Sequence, residues 1–230
     1  MESRRYRKRI GNDIQVEKKL LGKHLGIPVY LVDGSKLRKS VTWEMVKNPA
    51  IEYFDDFLDY GISNDFPQIP EGEIWIADEL HPEERIVVIR VAARRLRLLD
   101  SGESEHDAYV KSEKLSHHLR RSAFPHCKRN PRIRIYKEIE DVKIWVVSGF
   151  DVRCQWLTRF IQGGHHYVYP FIPKNEVWLD DTLDADEFEP VFIHEFVEMK
   201  QMRDNGLAYD PAHNIAEGFE YEYREKMKEE

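Results

Sequence analysis

The sequence predicts an α+β protein made of two related tandem repeats in a pseudo-twofold arrangement. Three observations predict it: a segment near residue 70 recurs near residue 172, a strand-and-turn signal precedes each copy, and a helical hairpin follows each. Each repeat should contain a strand, a proline-containing segment, a second strand and the hairpin. Strands and helices grouped in this way are typical of the α+β class.

The repeat is clearest around the second strand of each copy. Residues 66–78 (FPQIPEGEIWIAD) match residues 169–181 (YPFIPKNEVWLDD). With one inserted residue the match continues into the helices, where Val87 falls on Val191 and Glu113 on Glu217. A match in register over about fifty residues indicates a duplication.

Changes in composition divide the chain into four segments. These are a basic, helix-prone lead-in (1–24), the first repeat (25–115), a basic connector (116–140) and the second repeat (141–230). Strands are predicted at Val29–Val32, before an Asp-Gly turn, and at Ile144–Val147, before a Ser-Gly turn. Alternation in Arg132–Tyr136 predicts an exposed strand within the connector.

The composition indicates a globular protein. The chain is 41% hydrophobic and 33% charged, as soluble domains are. No apolar run approaches the roughly 20 residues that a bilayer span needs, and the basic N-terminus lacks the hydrophobic stretch of a secretory signal. Cys127 and Cys154 have no CxxC spacing, so reduced thiols and a cytoplasmic location are expected.

Charge is segregated although the net charge is only −7. No acidic residue lies between Glu113 and Glu138, whereas eight cations do: Lys114, Arg120, Arg121, Lys128, Arg129, Arg132, Arg134 and Lys137. Such a cluster could bind nucleic acid through its phosphates. It could equally neutralise the acidic C-terminal region of the chain.

The candidate chemistry lies in the second helical hairpin. Residues 191–202 (VFIHEFVEMKQM) have helical periodicity, which places His194 and Glu198 one turn apart on the same side. After an Asn-Gly turn, a second helix should bring His213 to this pair. Two imidazoles and a carboxylate are a ligand set for a divalent metal such as zinc.

The first repeat lacks the residues of this predicted site. The alignment pairs His194 with Arg90, Glu195 with Val91, Glu198 with Arg94 and His213 with Tyr109. Folding therefore does not need a carboxylate at position 195, and burying one costs several kcal/mol unless it is compensated. The alternative is that polar positions drift and that His194 and Glu198 form only a salt-bridged patch.

His194-Glu195-Phe196-Val197-Glu198 resembles the His-Glu-x-x-His helix of zincin-type metallopeptidases. The resemblance covers about twenty residues and implies a metal-dependent hydrolase that cleaves peptide or amide bonds. It implies that His194 and the later His213 are ligands and that Glu195 is the general base. Glu198 stands where the family has its second histidine, which also admits Fe²⁺ or Mn²⁺ beside Zn²⁺.

Two further residues belong to this hypothesis. In the loop Gly163–Tyr167, His165 is a candidate proton donor or oxyanion stabiliser, although glycines beside histidines are also ordinary loop chemistry. Glu217 could support His213, but its match with Glu113 favours a structural role. A non-catalytic nucleic-acid-binding or assembly protein that uses residues 114–137 is the competing function, and a purely structural metal is a third.

Overall fold

The computed structural model describes residues 16–41, 57, 59–160 and 162–229. Over these residues the fold is mixed α+β, with two four-stranded sheets and six helices. The chain divides into two compact units, Met1–Pro125 and His126–Glu230.

The first unit has its long helices after the last strand of its sheet. Its elements are β1 (Lys18–His24), β2 (Ile27–Val32), α1 (Gly34–Lys39), β3 (Tyr60–Gly61), β4 (Ile74–Ala77), α2 (Pro82–Asp100) and α3 (Glu105–Ala123). The sheet order is β1-β2-β4-β3, with β2 and β4 parallel and the other neighbours antiparallel. Helix α3 begins after Ser104, whose hydroxyl accepts the Asp107 N–H at 3.1 Å.

The second unit has the same order of elements. They are β5 (Arg132–Ile139), β6 (Val142–Val147), α4 (Gly149–Gln155), β7 (Gly163–His165), β8 (Glu176–Asp180), α5 (Phe188–Asp204) and α6 (Tyr209–Glu229). Its sheet order is β5-β6-β8-β7, again with the middle pair parallel and the outer pairs antiparallel.

Side chains of the second sheet alternate between two packed faces. Val177 and Leu179 of β8 face a core that includes Val191 and Met199 of α5. Trp178, between them in sequence, faces the opposite core beside α4. Because the sheet is covered on both faces, α5 is held firmly against β8 and its polar residues are fixed relative to β7.

Each unit also contains two Arg–carboxylate contacts in similar places, one of them fully buried and the other partly buried. One arginine of the short helix binds a backbone carbonyl and an acidic residue: Arg38 contacts Phe57 and Glu79, and Arg153 contacts Phe160 and Asp180. A second arginine, from the last helix, binds a glutamate at the start of the preceding helix: Arg120 contacts Glu84, and Arg224 contacts Glu187.

The boundaries of the basic segments differ from the sequence prediction. Lys18–His24 is a strand and not part of a helix-prone lead-in, because Leu25 and Gly26 take φ of 55° and 88° and form a tight hairpin to β2. The predicted connector 116–140 is divided: its first residues continue α3, and Arg132–Ile139 forms β5. Residues 1–15 of the lead-in lie outside the described residues.

Cys127 and Cys154 are joined in a disulfide, so the prediction of two reduced thiols was wrong. The two cysteines are 27 positions apart in the sequence, and the fold of the second unit brings their Cα atoms to 6.4 Å from each other. Across the described part of the chain, no helix has both the length and the apolar character needed to cross a bilayer.

Candidate metal centre

Helix α5 carries the His-Glu-x-x-Glu residues beside the sheet. Its apolar side, with Val191, Phe192 and Met199, packs into the core. His194 and Glu198 lie one turn apart, because residues four positions apart are stacked along a helix. The buried apolar side therefore fixes the direction in which both polar side chains point.

A tight turn brings His213 to the same place. Helix α5 ends at Asp204, and Gly206 adopts φ of 64°, a left-handed conformation that glycine takes without strain. The Leu207 N–H donates to the carbonyl of Gln201 at 3.3 Å and closes the helix end. Helix α6 then packs along α5 and presents His213 to it.

The three predicted ligands converge. His194 Nε2 lies 3.0 Å from His213 Nδ1, which lies 2.8 Å from Glu198 Oε2. The third side of this triangle, from His194 Nε2 to Glu198 Oε2, is 3.7 Å. These three side chains form one of the two groups among the described residues whose ligand atoms could hold a metal ion.

The triangle has the size that a metal requires. A tetrahedral ion with ligands at about 2.05 Å keeps neighbouring ligand atoms about 3.3 Å apart. The observed separations of 2.8, 3.0 and 3.7 Å surround that value. Glu198 is buried, and His194 and His213 are only partly exposed. These three ligand atoms could therefore hold a divalent cation.

A chain of contacts behind His194 orients its ring. Its Nδ1 lies 2.8 Å from Glu220 Oε2, and Glu220 Oε1 accepts a hydrogen bond from Arg224 at 2.9 Å. Arg224 also forms two hydrogen bonds of 2.8 Å to the buried Glu187. Histidine ligands commonly donate their other ring N–H to a carboxylate in this way.

The Glu220 contact also decides the tautomer of a neutral His194. Because an ionised carboxylate only accepts hydrogen bonds, the ring proton belongs on Nδ1 and the lone pair of Nε2 faces the triangle. His213 has a weaker version of this arrangement, with Nε2 3.8 Å from Glu217 Oε1. Both rings thus direct one nitrogen to the triangle and the other to a carboxylate.

The electrostatics of the cluster favour positive charge. Burial lowers the pKa of His194, but the Glu198 and Glu220 carboxylates more than compensate and hold it well above the usual range. Burial likewise lowers the pKa of His213, but the Glu198 carboxylate opposes this effect, and the pKa is raised overall. Burial raises the pKa of Glu198, yet the three imidazoles around it, His165 first, lower it far below the normal value.

Glu195 has the opposite character. Burial raises the pKa of this carboxyl, and the lowering effect of His194 and His165 does not cancel the increase. Its side chain fills space that Gly163 leaves open, because a Cβ at Gly163 would lie 3.0 Å from Glu195 Cγ. A carboxylate with a raised pKa beside a candidate metal position is suited to accept a proton.

His165 lies beside Glu198 and is fully buried. A buried side chain is poorly placed to donate a proton directly to a substrate. Its Nε2 lies 2.8 Å from Glu198 Oε1. His165, Glu195 and Glu198 form the second group whose ligand atoms could hold an ion. However, His165 Nδ1 accepts the Tyr167 N–H at 3.3 Å, so the proton belongs on Nε2, which then has no lone pair for a metal.

Sequence reasoning missed Glu220, Arg224 and Glu187. The predicted repeat alignment contained a signal for Glu220, which it pairs with Ser116, so this pair differs in residue type as the predicted ligand pairs do. Glu187 and Arg224 gave no such signal, because the first unit has Glu84 and Arg120 in the same roles.

Three of the eight clustered cations are engaged within their own unit. Arg120 contacts Glu84 in the first unit, whereas Arg132 lies 2.7 Å from Glu176 and Lys137 lies 2.5 Å from Glu189 in the second. The segment is also shared between two units, because the first ends at Pro125. The neutralising interpretation accounts for the Arg132 and Lys137 contacts.

Comparison of the chain with family models, curated proteins and solved structures finds no match. The functional assignment therefore depends on the geometry and chemistry of the His194–Glu198–His213 group and of its neighbours.

Proposed function

We propose that this protein is a metal-dependent hydrolase of zincin type that cleaves a peptide or amide bond in a peptide or protein substrate. The observation that carries the proposal is the convergence of His194 Nε2, Glu198 Oε2 and His213 Nδ1 within 3.7 Å of one another. Surface ion pairs rarely converge in this way on one point with the outer nitrogen of a ring held by a further carboxylate.

The roles of the residues follow from their surroundings. His194, Glu198 and His213 would hold the ion, with Zn²⁺ as the first choice and Fe²⁺ or Mn²⁺ as alternatives that two histidines and one carboxylate also suit. A bound ion would polarise a substrate carbonyl and make water more acidic. Glu195 would accept the proton from the attacking water, because its raised pKa makes it a stronger base than an exposed glutamate.

Metal analysis and peptide hydrolysis on the full chain, purified without a histidine tag, test this proposal. Wild type should retain stoichiometric zinc and cleave members of a peptide mixture analysed by mass spectrometry. His194→Ala should lose both the metal and the cleavage, whereas Glu195→Gln should keep the metal and lose the cleavage. A wild-type protein that binds no divalent metal would rule the function out.

We also propose that the two units are copies of one repeat. The common sheet order and the corresponding arginine contacts of the two units support it. The pseudo-twofold arrangement stays a prediction. Separate expression of residues 126–230 tests one consequence of the repeat: a copy with its own core should fold alone and show the far-ultraviolet circular dichroism of a folded domain, whereas an unfolded fragment would count against two self-contained copies.

The remaining sequence predictions receive less support. Nucleic-acid or assembly binding through residues 114–137 stays a prediction, and its cations in contact with Glu84, Glu176 and Glu189 are less available to phosphates. A cytoplasmic location stays a prediction as well, although a disulfide is more typical of oxidising compartments.

A further inference from the structure

The carboxylate of Glu198 is held from both sides. Its Oε2 faces the candidate metal position, 2.8 Å from His213 Nδ1 and 3.7 Å from His194 Nε2. Its Oε1 points the other way and lies 2.8 Å from His165 Nε2. A carboxylate can bind a cation through one oxygen or through both, so the group that holds Oε1 decides which mode is available.

The hydrogen bonds of His165 assign it the role of donor. The Tyr167 N–H lies 3.3 Å from His165 Nδ1 and can only donate, so Nδ1 accepts. The ring proton is therefore on Nε2 and is directed at Glu198 Oε1. A ring protonated on both nitrogens would direct its Nδ1 proton against the Tyr167 N–H.

The fold does not need a histidine at this position. His165 follows Gly164 in β7, and Ile62 follows Gly61 in the corresponding edge strand of the first unit. Both His165 and Ile62 are fully buried. An imidazole in a site that otherwise holds an aliphatic side chain is costly unless it is hydrogen-bonded, so its contact with Glu198 is the reason for its presence.

We propose that His165 is a positioning residue that holds Oε1 of Glu198 away from the metal position and leaves Oε2 as the single carboxylate ligand atom. This inference rests on the proposed function. It replaces the role of proton donor that the sequence suggested for His165. Restricting Glu198 to one oxygen keeps room beside the ion for water and substrate, which a hydrolytic site requires.

Two variants of the full chain test the proposal with zinc and cobalt alone. His165→Ile copies Ile62 and removes the donor, whereas His165→Gln keeps an N–H donor at the place of Nε2. Zinc affinity, measured by competition with a chromogenic chelator, should fall about 10- to 100-fold in His165→Ile and largely return in His165→Gln. The visible spectrum of bound Co²⁺ should lose intensity only in His165→Ile, because a second carboxylate oxygen raises the coordination number.

Wild-type protein offers a test that needs no substitution. Nitrogen-15 NMR of the imidazole rings should show the His165 proton on Nε2 both before and after Zn²⁺ is added. Loss of that proton on metal addition would make His165 a ligand and overturn the proposal. Unchanged zinc affinity and an unchanged Co²⁺ spectrum in His165→Ile would overturn it too, whereas failure of wild type itself to bind zinc, cobalt or any other divalent metal would overturn the proposed function.

Discussion

The two units fold alike but differ in the side chains between their sheets and helices. Both have a central parallel strand pair flanked by antiparallel edge strands, and both bury arginines against acidic groups. Among the residues that the structure describes, linked histidines and glutamates such as those around Glu198 occur only in the second unit. The architecture therefore does not require these polar groups, so their presence needs another explanation.

The cost of the difference is visible at two positions. Val91 and Ile62 of the first unit are 1% and 0% exposed, and Glu195 and His165 take their places in the second. At these positions valine and isoleucine stabilise the fold by burying apolar surface, whereas a carboxyl and an imidazole destabilise it. Residues that weaken a fold in this way are common at functional sites.

The largest expected effect comes from restoring the residue of the first unit at position 195. Glu195→Val and Glu195→Gln should each lower the rate of hydrolysis about 10²- to 10⁴-fold, because both remove the general base. In the metal-free protein Glu195→Val should also raise the free energy of unfolding by about 1–3 kcal/mol, because a buried carboxyl is removed. Peptide cleavage and urea unfolding measure the two effects. A Glu195→Val protein that is less stable than Glu195→Gln would contradict the comparison.

The buried arginines should matter in both units. Arg120→Met should lower the free energy of unfolding of its unit by about 3–5 kcal/mol, because it leaves the Glu84 carboxylate buried and unpaired. Arg224→Met should cost less, because the Arg224 side chain is 16% exposed and that of Arg120 is 1% exposed. Only Arg224→Met should also weaken zinc binding, because Arg224 holds Glu220. Equal zinc affinity in the two variants would show that the contact between Arg224 and Glu220 does not support zinc binding.

Glu220→Ser, which copies Ser116, should weaken zinc binding about 10- to 100-fold by releasing the Nδ1 side of His194. The matched control is Glu222→Ser on the same helix, where an exposed carboxylate binds only Lys226. Isothermal titration with Zn²⁺ should separate the two variants. If both bind zinc as wild type does, Glu220 does not support the metal.

The smallest expected effect is a pH dependence of the zinc stabilisation. The raised pKa values of His194 and His213 stabilise the metal-free fold below the usual histidine pKa of about 6.5, and this contribution disappears as pH rises through the raised values. Zinc competes with the protons on His194 and His213, so it should bind more tightly at a pH above the raised pKa values. The difference in Tm between zinc-loaded and metal-free protein should therefore widen from about pH 6 to about pH 8.5. A constant or narrowing difference would contradict this.

The sequence predicted most of what depends on local spacing. Helical periodicity alone placed His194 and Glu198 together, and the Asn-Gly turn indicated the return of His213. The hairpin at Leu25 and Gly26 was missed because its first turn residue is a leucine, which rarely adopts positive φ. The hydrogen bond from His165 to Glu198 and the Cys127–Cys154 disulfide were missed for a different reason. Both join residues that lie about thirty positions apart in the sequence, and no short-range pattern specifies which distant residues meet.

Mass spectrometry of the full chain under non-denaturing conditions measures whether His194, Glu198 and His213 bind a metal ion. The informative pair is wild type and a double variant, His194→Arg with Glu198→Arg, that carries the residues of the first unit. Wild type should hold one zinc ion per chain, and the folded double variant should hold none. Equal metal content in both proteins, or no bound zinc, iron or manganese in wild type, would show that these residues do not form a metal site.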